Sequence, residues 1–127
     1  MDIVNQQFPQ DIRKLSSLKT PEQILKMKKA GQICVTILNT LGDHIKPGAT
    51  TLDLDKLVGD LMKKYSAELD RSDLDGHQYN DEQNAFFQIN DVIARGMASD
   101  TPLQAGDIVS VDISLKKDGW CGDTTKM

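Results

Sequence analysis

The sequence predicts an α/β chain of the α+β type, with two amphipathic helices packed on an antiparallel sheet. Three observations carry that prediction. Apolar residues recur every three or four positions from Ile24 to Leu41 and again from Leu54 to Tyr65, the period of a helix with one buried face. Val109, Val111, Ile113 and Leu115 alternate with Ser110, Asp112 and Ser114, the period of a half-buried strand. Directly after that strand comes Asp118-Gly119, a preferred pair for a two-residue hairpin loop.

The elements follow in order. Residues 1–18 read as a leader draped over the domain, because Phe8-Pro9 and Ser16-Ser17 break any long period. Thr20-Pro21-Glu22-Gln23 then starts a helix: Thr20 caps it, Pro21 fits the first position and Gln23 completes a capping box. Ile24, Met27, Ala30 or Gly31, Cys34, Ile37 or Leu38, and Leu41 form its stripe, and Gly42 stops it. Met27, Met62 and the helix leucines read as core, and His44 caps or solvates the helix end. Lys46-Pro47-Gly48 is a turn. Thr50 or Thr51 caps the second helix, whose Leu54, Leu57, Val58, Leu61, Met62 and Tyr65 share a face, while Asp53 and Asp55 favour its N-terminus.

Residues 66–84 read as a long acidic loop, and Ala85–Asn90 and Val92–Ala94 as two short strand pieces. With Asp118 and Gly119 as the hairpin loop, Lys117 faces Trp120, Ser114 faces Asp123 and Asp112 faces Thr125. Asp112 and Asp123 then lie on one face as diagonal neighbours, roughly 7 to 8 Å apart at the backbone.

Composition narrows the function classes. At 127 residues the chain suffices for one domain. A hydrophobic share of 39% with 27% charged residues is that of a globular protein, not of a disordered or collagenous one. Fifteen Lys and Arg against nineteen Asp and Glu give a net charge of -4, without the basic excess that nucleic-acid binding uses. Cys34 and Cys121 lack a C-x-x-C spacing and suit a reducing compartment, so a cytoplasmic location is expected. No apolar run reaches membrane-spanning length, and no signal peptide is legible at Met1.

Two neighbouring carboxylates repel unless a cation sits between them or one takes up a proton. A divalent cation bridged by Asp112 and Asp123 would answer the repulsion and, with further ligands, activate water for hydrolysis. Solvated or turn-bonded aspartates are the plainer alternative. Cys121 has no His with an orienting acid nearby in the sequence, so it reads as a small buried hydrophobe rather than a nucleophile.

Asp112-Ile113-Ser114, the hairpin Lys117-Asp118-Gly119 and Gly122-Asp123-Thr124-Thr125-Lys126-Met127 resemble the methionine aminopeptidases. The likeness extends upstream through Lys19-Thr20-Pro21-Glu22-Gln23-Ile24 with Met27 and Ala30-Gly31, through Ile45-Lys46-Pro47-Gly48, and through Ile89-Asn90-Asp91-Val92 with Gly96 to Gly106-Asp107-Ile108-Val109. It implies a half of a pita-bread fold over residues 19–127, and removal of initiator methionine at a two-metal site. The family's metal ligands are two Asp, one His and two Glu. Only the Asp pair maps here, onto Asp112 and Asp123, and the other three would fall beyond Met127.

Two further positions depart from the family. Arg95 stands where the family has a histidine, and a guanidinium stays protonated and cannot shuttle protons. Gly76-His77-Gln78-Tyr79-Asn80 replaces the segment beside the methionine pocket, with His77 as the substrate-side candidate. Arg95 also offers a competing cation for Asp112 and Asp123. The resemblance thus leads to two expectations. One is a truncated, catalytically inactive relative, a pseudoenzyme that acts by binding a protein partner or by pairing with a second copy through an exposed sheet edge, in a regulatory, inhibitory or toxin-neutralising role. The other is a shortened or split aminopeptidase, completed by another chain, that uses Co, Mn, Fe or Zn on a peptide N-terminus.

Overall fold

A computed structural model describes residues 18–70 and 83–127. Most of the leader and most of the acidic stretch, His77 included, lie outside the described residues. The first described helix, α1, runs Pro21–Gly42. Its start is the expected capping box: Gln23 N donates to Thr20 Oγ1 at 3.2 Å and Thr20 N to Gln23 Oε1 at 2.9 Å. Its end is closed by His44, whose Nδ1 lies 2.9 Å from Thr40 O. Helix α2, Thr51–Lys64, is capped by Thr50 rather than Thr51. Thr51 is instead buried and ties the helix to Ser99, accepting from Ser99 N at 2.8 Å.

Among the described residues four antiparallel strands follow: β1 (Glu68–Leu69), β2 (Phe86–Ile89), β3 (Val109–Lys117) and β4 (Trp120–Lys126). Strand β3 is central. β4 pairs along one edge, with Lys117 opposite Trp120, Ser114 opposite Asp123 and Asp112 opposite Thr125, as the hairpin pattern predicts. Val111 and Leu115 each pair with β4 on one side and with β2 or β1 on the other, so β1 and β2 lie end to end along the second edge. Asp118 and Gly119 both adopt positive φ, at 52° and 79°, the backbone a type I′ loop requires.

The core lies between the helices and one sheet face. Ile37, Leu41 and Cys34 of α1 and Val58 of α2 meet Phe87, Val111, Ile113 and Leu115 of the sheet, all essentially fully buried. Burying each such large side chain contributes roughly 1.5 to 3 kcal/mol. Helix α1 passes so close to β4 that a Cβ at Gly122 would lie 2.7 Å from the carbonyl carbon and oxygen of Ala30. Gly122 is the residue that lets helix and strand touch.

Several expectations are corrected. Glu68–Leu69 is not loop but a strand, because it finds Lys116 and Leu115 of β3 as partners. Val92–Ala94 is not a strand: Asn90 takes φ 55°, Val92 N turns back onto Ile89 O at 3.1 Å, and the ladder ends. Ile24 and Met27 are 53% and 41% exposed rather than core. Lys29 already reaches the hairpin tip, 3.9 Å from Asp118, so the turns before it overhang the sheet. Leu25 and Leu52 are exposed as well. Among the described residues no helix is long and apolar enough to cross a membrane.

Candidate functional site

The alternation of β3 and β4 sends Val111, Ile113, Leu115 and Gly122 toward the helices and leaves Ser110, Asp112, Ser114, Lys116, Cys121, Asp123 and Thr125 on the other face. On that open face the two aspartates stand as the sequence pattern places them, Asp112 half-buried and Asp123 exposed. Each accepts a hydrogen bond from the hydroxyl directly across the hairpin. Thr125 Oγ1 donates to Asp112 Oδ1 at 2.9 Å, and Ser114 Oγ donates to Asp123 Oδ2 at 2.8 Å. The four side chains form a reciprocal square in which hydroxyls orient carboxylates, as outer partners do around metal ligands.

Beside Asp112 the face dips into a small hollow between the end of β1 and the start of β2. Leu69, Ala85 and Phe86 give it apolar walls, and Asp70, Asp112 and Ser114 line it as well. Its wall is held from behind by Asp55 of α2, which is buried. The Asp55 carboxylate accepts from Asn84 N at 2.8 Å, Ala85 N at 2.9 Å and Asn84 Nδ2 at 3.0 Å. Burial pushes its pKa above the ordinary carboxylate value, and the hydrogen bonds from Asn84 and Ala85 pull the other way. Gln83 fastens the same stretch to the segment before β3, with Nε2 donating to Gly96 O at 3.1 Å and Oε1 accepting from Ala98 N at 3.2 Å.

Arg95 belongs to that segment, at φ 52°. With the Gln88 amide nitrogen donating to Ser110 O at 2.8 Å, the amide oxygen accepts from Arg95 N at 3.2 Å. The Arg95 backbone is thereby set beside Ser110, two residues from Asp112 on the same strand.

Cys121 is exposed, which corrects the expectation of a buried hydrophobe. Gly122 takes the inward position on β4, so its neighbour must face out. Asp70 raises the Cys121 thiol pKa, by a hydrogen bond first and then by its charge, and so disfavours a thiolate nucleophile. Asp70 also pairs with Lys116, Nζ to Oδ1 at 3.0 Å, and raises the lysine's pKa.

Carboxylate oxygens are hard donors suited to divalent cations, so the pair Asp112 and Asp123 fits a metal as part of its ligand set. Among the described residues no group of three or more His, Cys, Asp and Glu side chains gathers to complete one.

Sequence reasoning gives Asp55 only a charge role at the helix N-terminus, whereas it is buried, and it does not single out the pair Asp70–Lys116. Asp55 does carry a signal: it falls three residues before Val58 and four after Thr51, inside the apolar stripe of α2, where a carboxylate needs a buried partner. Asp70 carries none, since β1 is only two residues long.

The chain belongs to metallopeptidase family M24, which it matches over residues 25–127. It is similar to the methionine aminopeptidase of Chlamydia muridarum, 40% identical over 110 residues, which cover 87% of this chain and 37% of that protein. The crystal structure of methionine aminopeptidase from Rickettsia prowazekii superimposes with a TM-score of 0.77 at 32% identity, covering 87% of this chain and 43% of the other. An Xaa-Pro dipeptidase from Bacillus anthracis shares the pita-bread fold at a TM-score of 0.69 and 22% identity. The chain thus spans less than half the length of the relatives it matches.

Proposed function

We propose that these 127 residues carry the two-aspartate share of a methionine aminopeptidase-like metal site, and that they do not release methionine unaided. The observation that supports this is the hairpin register. It sets Asp112 and Asp123 on the sheet face turned away from the helices, each carboxylate oriented by a hydroxyl, next to an apolar-walled hollow. Asp112 and Asp123 would hold a divalent cation, with Co, Mn, Fe and Zn as candidates. What such a cation supplies when bound is Lewis acidity toward a carbonyl or a water.

The chain's own residues have other work. Thr125 and Ser114 fix the carboxylate orientations, Asp112 presents negative charge toward a peptide's terminal ammonium, and Leu69, Ala85 and Phe86 offer an apolar wall to the first side chain. Two carboxylates leave most coordination positions to water, so binding is weak and turnover requires donors that these residues do not supply. His77 at the substrate side, and a cytoplasmic location, belong to the same reading.

The role we favour for the chain alone is binding of a protein partner. The feature behind it is β4, whose outer edge pairs with no strand among the described residues. Such an edge accepts a further strand, from a second copy or from another protein. Light scattering reads the first of these.

The catalytic part is tested by methionine release from a Met-Ala-Ser peptide with added Co²⁺, Mn²⁺ or Fe²⁺, for the chain and for Asp112→Ala. Release no faster than in the variant is expected. Metal-dependent release abolished by the substitution would make the chain a working aminopeptidase and overturn the proposed inactivity.

A further inference from the structure

We infer that Asp55 is a positioning residue for the candidate site, a buried anion on α2 that sets the wall of the hollow beside Asp112. The inference rests on the reading above, that the hollow receives a peptide's first side chain. Asp55 is 8% exposed, and among the described residues it is the one buried acidic side chain. Burying a carboxylate is costly unless its oxygens are satisfied, and here they are satisfied by donors from a single short stretch. Oδ1 takes the successive backbone N–H groups of Asn84 and Ala85, and Oδ2 takes Asn84 Nδ2. The same Asn84 Nδ2 lies 3.2 Å from Asp55 O.

The helix is shaped to receive this stretch. A Cβ at Gly59, one turn beyond Asp55, would lie 2.9 Å from Asn84 Nδ2. The clamp holds residues that line the hollow: Asn84, Ala85, which also reaches the core, and Phe86, which pairs directly with Asp112. Gln83 carries the constraint onward to Gly96 and Ala98, the neighbourhood of Arg95.

The chemistry demands an anion here. Every group facing the Asp55 oxygens is a donor, so an isosteric amide would turn its NH₂ against another N–H or give up one of the contacts. A residue that only filled space would tolerate that replacement.

Asp55→Asn is therefore the test, read by amide hydrogen exchange and by the amide shifts that L-methioninamide induces in a ¹⁵N-labelled chain. Expected is exchange at least about tenfold faster at Asn84, Ala85 and Ala98, with β3 and β4 protected as in the wild type and the response to methioninamide weakened at Phe86 and Asp112. Unchanged exchange at those three amides, or an even loss of protection across the sheet, would overturn the positioning role. If Asp55→Asn does not fold, Asn84→Ala serves: it removes one of the three donors and should weaken the same response by a smaller factor. A wild-type response there would contradict the inference. A wild-type chain that does not respond to methioninamide at all contradicts the reading of the hollow, while the exchange pattern still decides whether Asp55 holds the strand.

Discussion

Asp70 shows how one side chain sets the chemistry of its neighbours. It hydrogen-bonds the exposed Cys121 thiol and pairs with Lys116, raising the pKa of each. A raised thiol pKa means less thiolate near neutral pH and slower alkylation. Asp70→Asn removes both the charge and its preference for the protonated thiol. Cys121 in that variant should react several-fold faster with iodoacetamide at mildly alkaline pH, and mass spectrometry of the labelled peptide reads the rate. Equal rates in the two proteins would show that Asp70 does not govern the thiol. Cys34 gives the internal control. It is fully buried and its pKa is pushed up to about 11 by burial first and then by the charge of Asp123, so it should stay unlabelled in both.

Helix α1 and strand β4 touch because of one missing side chain. Gly122 faces the backbone of Ala30 and Gly31, and a methyl group there would sit 2.7 Å from the Ala30 carbonyl and 2.9 Å from Gly31 N. Neither obstacle is the end of a flexible side chain, so helix and strand must part. Gly122→Ala should cost about 1 to 3 kcal/mol, read as a lower urea midpoint at unchanged slope. It should also displace Asp123, the next residue along the strand.

The elements themselves were largely legible in the sequence. Thr20 and Gln23 mark the start of α1, and Asp118-Gly119 with the alternation from Val109 to Leu115 sets the register that brings Asp112 and Asp123 together. Less legible was whatever depends on distant contacts. Periodicity says which face of a helix is apolar, not how far the sheet beneath it extends, so Ile24 and Met27 were assigned to a core that ends near Ala30. Glu68–Leu69 is a strand only because β3 has an edge to offer. Cys121 was misplaced because the inward position beside it is filled by a glycine, which carries no hydrophobic signal.

At the scale of the molecule, one sheet face packs the core and the other carries polar side chains. The inner face is closed by α1 and α2 around Phe87, Ile113 and Leu115. The outer face holds Asp112, Asp123, their hydroxyl partners and the hollow. The chain belongs to a metallopeptidase family, and the proposed metal role of the two carboxylates belongs to that outer face. The central claim is that this pair is a partial divalent-metal site, and Mn²⁺ titration followed by electron paramagnetic resonance tests it most directly. The wild type should show one weak, saturable site, with affinity falling by at least about tenfold in both Asp112→Asn and Asp123→Asn. No saturable binding, or binding that neither substitution changes, would contradict the claim. In that case, restoration of Mn²⁺ binding by Arg95→Ala would identify the arginine as the cation that serves the pair instead.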